Sequence, residues 1–272
     1  MANLYFAEEL PPGSLVPGEV VAVAGEEARH AVRVSRLRVG ERTMVGDGRG
    51  TRAVGTVEEA ARDRFTVRVE EVLSEPEPSP RLVLVQALAK GDRDERAVEQ
   101  ATEFGVDAIQ PWQAERSVSR WDGPGGSEKE AKGVAKWRRI AREAAKQSLR
   151  ARIPEVRDPV TLDGLRGLAA SGDVRVVVLH PRGTGPLSDW ARLRLEPGSA
   201  GDGADGAGRS ADDGAAPDVY LVVGPEGGLS DREVDALQEA GAQVLLLGGT
   251  VLRTSSAGPA ALAVLNVALG RW

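Results

Sequence analysis

Apolar positions in residues 1–75 fall in short runs of period two: Val20-Val21-Ala22-Val23, Arg42 to Val45, Arg52 to Val57 and Phe65 to Val69. Turns such as Gly46-Asp47-Gly48-Arg49-Gly50 separate them. A strand sends alternate side chains to opposite faces, so the pattern predicts a small β-barrel. The period lengthens once, predicting a helix over Glu26 to Val34. Residues 74–81, with three prolines, read as a stiff linker that places the domain boundary, giving domains 1–75 and 76–272.

Beyond Leu82 the runs are longer and alternate in kind. Strands are predicted at 82–88, 107–110, 174–179, 219–223 and 243–247, and helices at 93–104, 129–150, 161–170, 231–240 and 255–270. Such alternation predicts an α/β domain with a mainly parallel sheet. Residues 198–217, rich in Gly, Ala and Asp, read as a low-complexity insertion whose composition does not favour packing.

Two of these strands end in glycine-rich turns. Val219 to Val223 enters Gly224-Pro225-Glu226-Gly227-Gly228, and Val244 to Leu247 enters Gly248-Gly249-Thr250-Val251-Leu252-Arg253-Thr254. Without Cβ atoms, such turns let a small molecule approach the main chain at strand C-termini. Geometry alone would account for one such turn; a pair points to a ligand. Neither is a phosphate loop, because the chain has no Gly-Lys dipeptide. The formal G-x-G-x-x-G at Gly201, Gly203 and Gly206 has no strand before it and sits among aspartates. A nucleoside cofactor without a pyrophosphate fits better, and S-adenosylmethionine (SAM) is the natural candidate. His180, at a strand tip before Pro181-Arg182-Gly183, is placed to line the same pocket.

Composition narrows the chemistry. The chain of 272 residues has no cysteine and only two histidines, His30 and His180, which excludes thiolate and histidine-built metal centres. No run is long enough to predict a membrane span, and the N-terminus lacks a secretory pattern, so a cytoplasmic protein is expected. Net charge is −6, yet it is unevenly spread. Residues 132–152 carry eight Lys/Arg against one Glu, while 198–218 carry five Asp and one Arg. Local field steers a polyanion, so RNA remains a fitting partner. On the helix at 129–150, Lys132, Lys136, Arg139, Lys146 and Arg150 recur at helical spacing opposite an apolar stripe of Trp137, Ile140, Ala144, Ala145 and Leu149. A solvated amphipathic face would read the same way. Arg29, Arg33, Arg36 and Arg38 form a second basic cluster beside His30.

Taken in order, Lys90-Gly91-Asp92-Arg93, Thr102-Glu103-Phe104-Gly105-Val106-Asp107, Ile109-Gln110-Pro111, Glu115-Arg116-Ser117, Ala144-Ala145-Lys146-Gln147-Ser148 with Arg150, Gly224 to Gly228, and Leu247-Gly248 with Leu252-Arg253-Thr254 resemble the RsmE family. Its members are SPOUT-class enzymes that methylate N3 of one uridine, the family's U1498, in 16S ribosomal RNA. The resemblance runs from Phe6 to the C-terminal helix. It implies a PUA-like RNA-binding barrel followed by a trefoil-knotted SPOUT α/β domain, a homodimer, and 16S rRNA within the 30S subunit as partner. It also implies SAM held by Leu179, His180, Gly224, Pro225, Glu226, Gly228, Leu247, Gly248, Val251, Leu252 and Thr254. The RNA contacts expected are Arg29, His30, Arg33, Arg36, Lys90, Arg93, Arg116, Lys136, Arg139 and Arg150. Glu226 is the candidate base for the N3 proton or a cap of the following helix; Arg253 or Arg150 is the candidate stabiliser of the uridine anion. The chain departs from the family pattern at Thr250, usually Arg, at Ser255-Ser256, often Glu-Thr, and at Ala101, commonly Lys. A non-catalytic RNA-binding protein of the same fold, or an enzyme acting on tRNA, would share most of these residues.

Overall fold

The computed structural model describes residues 3–122, 126–195 and 216–272. The insertion expected at 198–217 therefore lies outside the described residues up to 215. The chain separates into two compact units, one of Met1–Glu77 with Arg142–Ile153 and the other of Pro78–Ala141 with Pro154–Trp272. Residues 142–153, which the linker alone would assign to the second domain, thus cluster with the first.

The first unit is a five-stranded sheet of β1 (Leu4–Phe6), β2 (Val20–Ala24), β3 (Arg42–Gly46), β4 (Thr51–Ala60) and β5 (Arg64–Ser74), with helix α1 (Gly25–Arg33). The strand order is β1-β3-β4-β5-β2; β1 joins β3 in parallel and the other pairs are antiparallel. The alternation in β2 is realised, with Val21 and Val23 buried and their neighbours exposed. Those valines meet Val45, Val57, Phe65 and Val67, and Tyr5 stands edge-on to Phe65 at 5.3 Å between ring centres. β1 escapes the sequence pattern because all three of its residues are buried, leaving no alternation to read.

The same unit contains a charged cluster built by residues 142–153. Arg142 reaches Glu8 at 2.6 Å and Glu27 at 3.1 Å, and Lys146 also meets Glu27 at 3.1 Å. Arg142 and Lys146 lie over the rings of Phe6 and Tyr5. Lys146, one of the basic residues expected on the polar face of this helix, is thus spent on internal pairing, together with Arg142.

The second unit is a six-stranded, all-parallel sheet. Its elements are β6 (Leu82–Ala87), α2 (Arg93–Glu103), β7 (Ala108–Trp112), α3 (Gly126–Gln147) as far as Ala141, β8 (Glu155–Val156), α4 (Leu162–Ser171), β9 (Arg175–Leu179), α5 (Leu187–Leu195), β10 (Val219–Val223), α6 (Asp231–Glu239), β11 (Gln243–Leu245) and α7 (Thr254–Ala268). The strand order is β11-β9-β10-β6-β7-β8. A sheet covered on both faces needs apolar residues on both, and β6 supplies them: Leu82 and Leu84 pack with α2, α5 and α7, while Val83 and Val85 pack with α4 and α6. The predicted strand over 243–247 stops at Leu245, because Leu246 leaves the sheet. Its N–H donates to the Gly185 carbonyl and its own carbonyl accepts from Leu187. Sequence reading does not find α5, a nine-residue helix.

Candidate active site

The C-terminal tips of β9, β10 and β11 lie side by side, where open α/β sheets hold their ligands. A cavity of about 310 Å³ opens there. Leu179, His180 and Pro181 form one wall, Leu246 to Leu252 the other, and Ala257 closes it from α7. Among the described residues, no Lys, Arg, Asp or Glu lines it. Apolar side chains beside glycine-rich backbone suit an uncharged ring held by main-chain groups, which is the chemistry of an adenosine-bearing ligand. Gly248 adopts φ +123, a backbone conformation that L side chains rarely take, so glycine is required at this wall.

Of the residues expected to hold the cofactor, Leu179, His180, Leu247, Gly248, Val251 and Leu252 line this cavity. Gly224, Pro225, Glu226, Gly228 and Thr254 do not. Thr254 instead connects the two groups: its Oγ1 donates to the Gly224 carbonyl at 2.7 Å. The turn after β10 is held from several sides. Arg116 donates to the carbonyls of Gly227 and Leu229, the Trp112 indole to that of Val223, and the Lys90 N–H to the Glu226 carboxylate at 3.1 Å. Leu229 sits so close over Gly224 that a Cβ there would lie 3.0 Å from it.

Glu226 is not the cap of the following helix. Helix α6 begins at a capping box: Ser230 Oγ accepts from the Glu233 N–H at 3.2 Å, and the Glu233 carboxylate accepts from the Ser230 N–H at 2.8 Å. The Glu226 carboxylate faces the loop after β6, with Arg93 at 3.8 Å. That loop is folded back by Asp94, a buried carboxylate accepting from the Ala89 N–H at 3.1 Å; burial raises its pKa above the usual aspartate value.

His180 accepts a hydrogen bond on Nδ1 from the Arg182 N–H at 3.2 Å, which leaves the proton of the neutral ring on Nε2. Burial lowers its pKa below the ordinary 6.5; Arg182 and Arg116 add to the shift and Asp231 opposes it. Arg182 is itself held by Asp231 at 3.1 Å and Asp235 at 2.6 Å.

The expected RNA contacts divide by what they already touch. Lys136 pairs with Glu95, Arg93 with Glu226, and Arg116 with turn carbonyls. Arg29 bonds the Gly25 carbonyl through Nε, and neither it nor Arg33, Arg36 or Arg139 takes part in an ion pair among the described residues. These four, with His30, are exposed. Arg253 is exposed at the N-cap of α7. Arg150 belongs to the first unit, whereas Glu226 and Arg253 belong to the second. Among the described residues no cluster of His, Cys, Asp and Glu suits a metal, and no helix is long and apolar enough to cross a membrane.

Comparison with known proteins adds an independent line. Residues 75–266 match the model of an RNA methyltransferase domain, and residues 23–70 that of an RNA methyltransferase PUA domain. The ribosomal RNA small subunit methyltransferase E of Mycobacterium bovis is 39% identical, with the alignment covering 100% of this chain and 94% of that protein. A Legionella pneumophila protein described as a methyltransferase and solved in complex with SAM is 29% identical, with a TM-score of 0.76 over 98% of each chain. The ribosomal RNA small subunit methyltransferase E of Neisseria gonorrhoeae, bound to SAM, shares the fold at a TM-score of 0.73 and 24% identity, again over 98% of each chain.

Proposed function

The chain belongs to the ribosomal RNA small subunit methyltransferase E family, and we propose that it transfers the methyl group of SAM to N3 of one uridine, the family's U1498, in 16S rRNA. The cavity between the tips of β9 and β11 carries this reading. Its apolar walls and glycine-rich backbone fit an adenosine, and its freedom from charged side chains suits a ligand that brings its own cation. Leu179, His180, Leu247, Gly248, Val251 and Leu252 would hold the cofactor. The bound sulfonium supplies an activated methyl group.

The protein's own work is to place N3, accept its proton and balance the charge that remains. Placement in line is worth ~7–11 kcal/mol of barrier. Glu226, held by the Lys90 N–H on the turn beside the cavity, is the carboxylate assigned to the N3 proton. Arg253, exposed and without an ion pair among the described residues, is assigned to the uridine anion. Arg29, His30, Arg33 and Arg36 of the PUA domain, with Arg139, take the RNA backbone. The target base must be single-stranded or flipped to reach the site.

The reading extends to a trefoil knot. Segment 184–187 runs hydrogen-bonded beside Val244 and Leu246, where the 247–253 loop leaves the strand. It extends also to a cytoplasmic homodimer acting on the 30S subunit; exposed Val267 and Trp272 supply apolar surface that a second copy would cover. The test is methyl transfer from labelled SAM to 30S subunits lacking the modification, followed by nucleoside analysis. N3-methyluridine at one position is the expected result. Transfer to tRNA alone, or SAM binding without transfer to 30S, would overturn the substrate assignment.

A further inference from the structure

Every residue of β6 is buried, and five of the six are apolar; the exception is Gln86, with no exposed surface. An amide in such a place loses its hydration and must be retained for the bonds it makes. Its Nε2 donates to the Ala87 carbonyl at 3.1 Å and to Thr254 Oγ1 at 2.9 Å, while Oε1 has no partner among the described residues. The orientation of the amide is not arbitrary. The Ala87 carbonyl can only accept, so the nitrogen must face it. The Thr254 hydroxyl therefore accepts a hydrogen bond from Gln86 and donates its own to the Gly224 carbonyl at 2.7 Å. The direction of each bond follows from the one before.

We propose that Gln86 is a positioning residue for the methyl donor: by fixing the direction of the Thr254 hydroxyl, it locks the 248–254 loop to the turn after β10. It acts through Thr254 and touches no reactant. The two loops bracket the same strand tips, and the hydroxyl ties one to the other. Thr254 is the first residue of α7, one past the N-cap Arg253, and its hydroxyl is turned to the other loop. This inference rests on the reading of the cavity as the SAM site.

The test compares Gln86→Met, which keeps length without hydrogen bonding, Thr254→Val, which keeps shape without the hydroxyl, their combination, and Thr254→Ser. SAM binding by the wild type is measured first, and its absence would overturn the cofactor reading itself. With binding established, Gln86→Met and Thr254→Val should each raise the KM for SAM about fivefold to tenfold, the loss of one hydrogen bond. The double variant should be no worse than the weaker single one, because both break the same relay. The KM for RNA should move less than about twofold, and Thr254→Ser should restore the SAM KM. A merely structural glutamine would lower Tm and leave the KM for SAM of the folded enzyme unchanged; that result overturns the proposal. So does strict additivity of the two substitutions.

Discussion

The guanidinium of Arg116 donates from one nitrogen to the carbonyl of Gly227 at 3.2 Å and to that of Leu229 at 3.1 Å. An arginine after β7 thereby secures the turn after β10. Arg116→Ala should leave two carbonyls without these donors and loosen the turn. We expect SAM affinity to fall about tenfold, with faster amide exchange at Gly228 and Leu229. Unchanged SAM binding with weakened RNA binding would instead return Arg116 to the RNA surface.

Gly228 has φ +68, and nothing lies within 4 Å of where its Cβ would stand. The obstacle to a side chain is backbone strain rather than collision. Gly228→Val should therefore displace the turn at a cost of ~1–3 kcal/mol and abolish tight SAM binding in a folded protein. Gly228→Asn, which tolerates the left-handed region, should retain most of it. Calorimetric titration with SAM decides; equal affinity in the valine variant would remove the turn from the site.

Charge reversal separates the basic residues of α3. Arg139→Glu should weaken RNA binding and reduce the slope of log K against log salt by about one. Lys136→Glu should change that slope less, because Lys136 is already paired with Glu95. Filter binding across a salt series measures both. Equal slopes for both variants would show that the Glu95 pair does not matter to RNA.

His180 makes a prediction about pH. Its pKa is lowered on folding, so the unfolded chain takes up the proton first as pH falls. The stability it contributes is complete above about 6.5 and declines as pH drops below that value. Protonation also removes the Nδ1 acceptor used by Arg182 and puts a cation on the wall of a site for a sulfonium. SAM affinity should be level from about pH 7 upward and fall in the mildly acidic range, and His180→Gln should flatten the profile. A profile that survives the substitution would assign the dependence to another group.

Much of the second unit was legible. β10 is a continuous apolar run ending in glycines, which marks a strand buried on both faces before a turn. α6 follows Ser230 with Glu233 three residues on, a local signature of a helix start. The cavity walls at Leu179, Leu247 and Gly248 follow from strand ends that the sequence displays. The roles of the charged residues did not follow. Lys136 reads as a free cation along α3, but its partner Glu95 lies on α2, and no periodicity reports a pairing across 41 positions. Glu226 reads equally as base or cap, until the Ser230–Glu233 box takes the cap.

The sequence by itself determined most of the strands and helices, though not β1 or α5, where the glycine-rich turns fall, and, through its ordered motifs, the family. Those properties are local: period, capping and turn chemistry act within a few residues. The tertiary structure alone decided that residues 142–153 join the first unit, that Arg116 holds a turn, and that Gln86, Thr254 and Gly224 form one relay. Gln86 and Thr254 are 168 positions apart. A buried amide draws its partner from whatever the packed chain brings within 3 Å, and the sequence alone carries no record of that distance.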